Sequence, residues 1–259
     1  MFNDNLPWNL DNHRYAILGV PRSGTQLLES FIKYSLSKKD SNVEALQEIF
    51  ALHAVLVGTV LLEDGLIRMT NQTPNITVNM MAAAKDRLTT IKNGNPNQAL
   101  VCRAFLDTGM NSVGFAEGID FLQSLNFKFV YINRRFDHKI LSGLFAAESF
   151  IFNRVKNTMT LNIDTDRLKT IIISRYLIEQ HHLKVFKRLI PEFHVVEYDS
   201  LVEKANNLSP DEREKAFGVY KEKQLPLDPY EQIENSEEVK KVFDEFYPKL
   251  QSLTDMLLA

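Results

Sequence analysis

The chain has 259 residues, 44% hydrophobic and 24% charged, with 10 glycines and 9 prolines. These values exclude a disordered chain, a collagen-like repeat and a coiled-coil rod, and argue against a turn-dense all-β fold. A net charge of -3 means that any anion site must be local, and the basic residues lack the interleaved aromatics of a nucleic-acid interface.

Residues 1–14 carry Asp4, Asp11 and Arg14 and no apolar run, so a signal peptide is not expected. The lone cysteine, Cys102, excludes an intramolecular disulfide and a Cys-rich zinc site, and the expected address is the cytoplasm. Tyr15–Val20 (YAILGV) reads as a strand buried on both faces, as do Ala99–Phe105, Phe127–Ile132 and Phe193–Tyr198. Thr25–Leu36 places Leu27, Leu28, Phe31, Ile32 and Leu36 on one helical side. Ala45–Leu62 reads as a second helix; its apolar part, Ala51–Leu62, contains His53 and is too short to span a bilayer. Further helices are predicted over Asn79–Ile91, Val113–Leu125, Lys139–Arg154 and Thr165–Leu189, the last capped by Asp164 or Thr165.

Asn93–Asn97 (NGNPN) reads as a turn, Asn206–Glu214 opens a polar stretch, and the two prolines of Gln224–Tyr230 break any helix. Ser236–Leu258 resumes helical spacing. Strand–helix alternation predicts an α/β protein with a central, mostly parallel sheet flanked by helices. With no linker or repeat, residues 1–259 read as a single domain with a C-terminal helical tail at about 236–258.

The most informative segment is YAILGVPRSGTQLL, Tyr15–Leu28. A strand runs through Gly19–Thr25 into an apolar-striped helix, so backbone N–H groups of Ser23, Gly24, Thr25 and Gln26 can face an anion at the positive end of the helix dipole. Gly24 permits a turn that a side chain obstructs, and Arg22 adds a planar donor fork. The Gly19–Gly24 spacing is that of the G-x-x-x-x-G-K-[ST] nucleotide loop, but Thr25 stands where the lysine belongs. Ordinary ATP or GTP hydrolysis is therefore disfavoured. A tight strand–helix turn with an incidental arginine is the plain alternative.

A second segment is Phe129–Phe145, FVYINRRFDHKILSGLF, in which Arg134 ends a strand and Ser142 follows eight residues later in a helix. Arginine and hydroxyl so placed can share one phosphate; alternatively Arg134, Arg135 and Lys139 are a solvated basic patch. A third is Phe193–Leu201, FHVVEYDSL, after a long charged helix.

Taken in order, these segments resemble the sulfotransferases that use 3′-phosphoadenosine 5′-phosphosulfate (PAPS). Pro21–Arg22–Ser23–Gly24–Thr25 is similar to that family's P-[KR]-S-G-T phosphosulfate loop, and Arg134 and Ser142 match its R-[NDR]-P-x-x-x-x-x-S element, with Phe136 in place of the proline. Tyr198–Leu201 is similar to its Y-[ED]-[DS]-L strand end, taken as structural. The resemblance implies a phosphate-loop-like sulfotransferase fold, PAPS as donor, no metal, and transfer of a sulfuryl group to an acceptor hydroxyl on a small molecule, carbohydrate or peptide. Arg22 would stabilise the leaving bridging oxygen, the loop N–H groups would hold the 5′-phosphate, and Arg134 and Ser142 the 3′-phosphate. Val43–Phe50 (VEALQEIF) is similar to a stretch that supplies a catalytic glutamate, which implies Glu48 as base, with Glu44 one helical turn away as competitor. His53 could serve instead, and Arg103, a charge inside the strand ALVCRAF, could sit near the acceptor. No R-K-G segment of the cytosolic animal enzymes is present, which points to bacterial, viral or carbohydrate-type members; Lys221 and Lys223 are possible adenine contacts. The competing readings are a small-molecule kinase, with Asp107 or Asp199 holding magnesium, and a non-catalytic nucleotide-binding protein that retains the anion site.

Overall fold

The computed structural model describes residues 12–19, 22–39, 42–48, 85–91, 93–95, 97–105, 112–149, 160–217 and 228–258. Five strands, β1 (Arg14–Gly19), β2 (Val43–Glu48), β3 (Ala99–Phe105), β4 (Lys128–Asn133) and β5 (His194–Glu197), form one sheet in the order β2-β3-β1-β4-β5. Every pairing is parallel. The helices are α1 (Thr25–Ser37), α2 (85–91), α3 (Ser112–Ser124), α4 (Phe136–Ser149), α5 (Thr165–Leu189), α6 (Tyr198–Asn206), α7 (Pro210–Phe217) and α8 (Ser236–Leu258).

Alternate strand residues build two cores. Ala16, Leu18, Cys102, Phe129 and Tyr131 pack against Ile119 and Leu122 of α3 and Phe186 of α5. Tyr15, Ile17, Val101, Val130 and Ile132 pack against Leu28, Phe31 and Ile32 of α1 and Leu201 of α6 on the other face. A side chain of this size contributes about 1.5–3 kcal/mol when fully buried, so both sheet faces must stay covered. A third core joins α4, α5 and α8 through Leu141, Leu168, Ile172, Val239 and Phe243. Just before α8, the backbone at Leu161 bonds to Gln232 and Glu234.

Three expectations need correction. Residues 45–48 are not helical: Val43–Glu48 is an edge strand paired with β3, with a register irregularity between Ala45 and Glu48. Its Glu, Ala, Leu and Gln favour helix, and pairing with β3 overrides that preference. Tyr198–Leu201 does not end a strand but opens α6 immediately after β5. The polar stretch after Asn206 holds α7, whose start is a capping box: Ser209 Oγ accepts from the Glu212 N–H at 3.3 Å while Glu212 Oε2 accepts from the Ser209 N–H at 3.3 Å. The rest of the predicted helix over Ala45–Leu62, with His53, lies outside the described residues, as do Asp107, Lys221 and Lys223. No described helix is long and apolar enough to cross a membrane.

Candidate functional site

In open parallel sheets, ligands lodge beyond the carboxyl ends of the strands where the strand order reverses. Here that point is β1, flanked by β3 on one side and β4 on the other. The loop after β1 carries Arg22 and Gly24; the segment after β4 carries Arg134 and Arg135.

The loop is held in an uncommon backbone shape. Arg22 has φ 73° and Gly24 φ 96°, both left-handed. A left-handed non-glycine costs about 1–2 kcal/mol, so the surroundings must impose it at Arg22. Ser23 is buried, and a Cβ on Gly19 would sit 2.5 Å from Ser23 Oγ, so both glycines of the loop are there for space. A Cβ on Gly24 would collide with the Tyr198 ring. Gly24 also caps α1 with no side-chain acceptor, and the first turn of α1 has no acidic residue. The helix therefore presents its N–H groups and dipole without a local carboxylate. Thr25 is buried and Gln26 is exposed.

Arg134 reaches across to this loop. Its Nη1 donates to the Arg22 carbonyl at 2.9 Å, and its guanidinium lies 4.4 Å from the centre of the Tyr198 ring. Tyr198 thus stands between the glycine of one motif and the arginine of another. The Arg134 Nε is buried and finds no hydrogen-bond partner among the described residues. Arg22 has a lowered pKa, first because it is buried and second because the Arg134 charge is close. Two guanidinium groups held together in this way favour an anion between or beside them.

Two cavities open beside these arginines. The first, about 410 Å³, includes Arg22; the second, about 460 Å³, includes Arg134, and both are lined by Phe136, Lys139 and Glu179. The partition is a buried polar cluster in which Glu179 Oε1 accepts from Lys139 and, at 3.1 Å, from the Tyr131 hydroxyl. Burial pushes the Lys139 pKa down, with Glu179 pulling the other way, and burial with the Glu179 charge pushes Tyr131 up. The sequence reading did not single out Glu179. Its signal was available: Ile172, Tyr176 and Glu179 share one buried helical face, and a carboxylate in an apolar stripe calls for a partner.

The remaining predicted residues fall in several places. Ser142 is half-buried on α4 and lines neither cavity. Arg103 is buried on β3, its Nε 3.0 Å from Glu29 Oε2 of α1, a pair that explains a charge inside an apolar strand. Glu48 lies on β2 level with Arg103, near the carboxyl edge of the sheet. Glu44 is not one helical turn from Glu48: it is level with Leu100 towards the amino edge and bonds Gln98 at 3.2 Å and Arg87 at 3.4 Å. Asp199 sits in the first turn of α6. Phe136 stacks on Tyr247 of α8 at 4.6 Å and meets Tyr176 of α5 edge-on at 6.0 Å, which gives it a packing role at the start of α4.

Among the described residues, no group of three or more His, Cys, Asp or Glu side chains is placed to share a metal ion. No family model matches the chain, and no curated protein matches its sequence. Among the described residues the protein is α/β with a five-stranded, all-parallel sheet and a cationic pair at the strand-order reversal.

Proposed function

We propose that the chain is a sulfotransferase with a phosphate-loop-like fold that takes PAPS as donor and a hydroxyl-bearing acceptor. The observation that carries the reading is Arg134: two motifs 112 residues apart meet through its bond to the Arg22 carbonyl, and its buried Nε is left for an incoming acceptor atom. The residues fit a donor with phosphate at both ends. Arg22 and the N–H groups at the start of α1 would hold the 5′-phosphate side, Arg134 the 3′-phosphate. Ser142, which lines neither cavity, has no part in the phosphate contacts of this account.

When bound, the donor supplies a sulfuryl group whose bond to the 5′-phosphate breaks as the acceptor oxygen attacks in line, the acceptor proton passing to a base. Arg22 counters the negative charge that grows on the bridging oxygen, in a loop fixed before the reaction begins. Glu48 is the base in this account, held at the carboxyl edge of β2, level with Arg103 of β3, which is tied to Glu29 of α1. We place the protein in the cytoplasm, where its single buried thiol stays reduced.

The test is turnover with sulfur-labelled PAPS across sugar, lipid, phenolic and peptide hydroxyls. The expected result is label in an acceptor, one bisphosphate released per sulfate transferred, and a loss of about 10²-fold or more in Arg22→Ala. Bisphosphate binding without transfer to any acceptor would mean a non-catalytic nucleotide-binding protein. Magnesium-dependent phosphoryl transfer from ATP would mean a kinase.

A further inference from the structure

Glu179 is the one carboxylate among the described residues that line the 410 Å³ cavity, and the donor site makes no use of it. The residue is 7% exposed, yet its two oxygens are not equally engaged. Both of its hydrogen bonds among the described residues end on Oε1, which accepts from the Lys139 ammonium and, at 3.1 Å, from the Tyr131 hydroxyl. Oε2 has no hydrogen-bond partner among the described residues. It is also not one of the fully buried orphan atoms, so it keeps some open surface on a side chain that lines the cavity. A carboxylate oxygen accepts up to two hydrogen bonds, and leaving a buried one unmatched costs about 1–3 kcal/mol.

The α4 wall of the cavity is one helical face, on which Phe136, Ile140, Gly143 and Leu144 recur at i, i+4, i+7 and i+8. Its side chains are apolar. A Cβ on Gly143 would meet nothing within 4 Å, so packing does not demand the glycine, and its missing side chain leaves room in the cavity. The 460 Å³ cavity differs, because Glu197 and Asp199 line it as well as Glu179. Only in the smaller cavity does Glu179 stand as the sole carboxylate opposite an apolar wall. The volume falls within the range of small-molecule sites, which is about 300–1,000 Å³.

We propose that the 410 Å³ cavity binds an uncharged amphiphile, its hydroxyl donating to Glu179 Oε2 and its apolar body lying along Phe136, Ile140 and Leu144. The Lys139 ammonium already balances the Glu179 charge, so a neutral donor completes the set where a second cation adds nothing. No guanidinium group is needed for the binding. Glu179 is thus a recognition residue: a ligand without the hydroxyl leaves the buried oxygen unmatched and is rejected for that reason. That the occupant is the sulfuryl acceptor rests on the sulfotransferase reading, since Arg22 lines the same cavity; the binding itself does not rest on it.

The experiment titrates the full chain, by calorimetry, with 1-octanol and with 1-methoxyheptane, isomers of which only the first has an O–H. The alcohol is expected to bind about tenfold tighter or more, and n-octylammonium no tighter than the alcohol. In Glu179→Gln the amide carbonyl takes over the bonds from Lys139 and Tyr131, which puts an N–H group where Oε2 stood, so the alcohol-to-ether ratio should fall to about one. Gly143→Leu places a side chain in the open space of the cavity. Urea unfolding should show no loss of stability, since leucine suits a helix better than glycine, and both isomers should bind about tenfold more weakly. Equal binding of the isomers, no binding of either, tighter binding of the ammonium, or affinities untouched by Gly143→Leu would each overturn the proposal. So would a ratio unmoved in folded Glu179→Gln; if that variant does not fold, Gly143→Leu still decides. Failure of adenosine 3′,5′-bisphosphate to bind, with the alcohol-to-ether ratio intact, would instead sink the sulfotransferase reading and leave this site standing.

Discussion

Gly24→Ala isolates the link between the phosphate loop and the residues that meet it. The position has φ 96°, so an alanine there costs about 1–2 kcal/mol in backbone alone. Its Cβ also drives into the Tyr198 ring, which must move off the Arg134 guanidinium 4.4 Å away. Losing that contact adds about 0.5–2 kcal/mol. The two together put the destabilisation at about 1.5–4 kcal/mol. Urea unfolding should show a lower midpoint at unchanged slope. Repeating the substitution in Tyr198→Ala removes the collision and leaves the backbone cost, so the double-mutant cycle should give a coupling of about 0.5–2 kcal/mol. A single-variant cost below about 0.5 kcal/mol, or the same cost in both backgrounds, would refute the claim that Tyr198 joins the loop to Arg134.

Arg103→Met strands the buried Glu29 carboxylate and should cost about 3–5 kcal/mol in urea unfolding, whereas Glu29→Leu/Arg103→Met should cost much less. Equal losses would show that the pair is not the reason for the charge. Burial raises the pKa of Asp137, but the Arg135 hydrogen bond, the His138 and Arg135 charges and the Tyr230 hydroxyl at 3.0 Å outweigh it, so the group sits below its ordinary 3.8. Its contribution is present above 3.8 and is lost as pH falls through the lower folded value. Asp137→Asn should therefore flatten the stability–pH curve below 3.8, and an unchanged acid limb would contradict the assignment. Phe136→Pro keeps a residue suited to the first turn of α4 but removes the ring stacked on Tyr247 and edge-on to Tyr176; it should cost about 1–3 kcal/mol by thermal or urea unfolding, and no loss would deny Phe136 its packing role.

The strands β1, β3 and β4 were legible because they are buried on both faces, and a continuous apolar run needs no partner to be recognised; β5, an edge strand with only Val196 buried, was legible from its short β-branched run alone. β2 was not, because an edge strand built of Val, Glu, Ala, Leu and Gln carries neither a continuous run nor a strict alternation. Only its pairing with β3 identifies it, and pairing is a non-local fact. By contrast, α7 was legible and went unread: Ser209–Pro210–Asp211–Glu212 is a capping-box sequence with proline at the first helical position.

The candidate site divides in the same way. Arg22, Gly24 and Arg134 stand out in sequence because loops at strand ends carry few residue types with such specific demands. The positive φ of Arg22 and the Tyr198 platform depend on elements far apart in the chain, so no local pattern reveals them. Lys139 and Glu179 belong to this second kind. Each is unremarkable in its own helix and becomes informative only as a buried pair between two cavities.

The most direct measurement is a calorimetric titration of the chain with adenosine 3′,5′-bisphosphate beside ATP–magnesium. The account predicts selective binding of the bisphosphate, weakened by at least tenfold in Arg22→Ala and in Arg134→Ala, and little heat with ATP–magnesium. Equal affinity for both nucleotides, or bisphosphate binding untouched by either substitution, would contradict it.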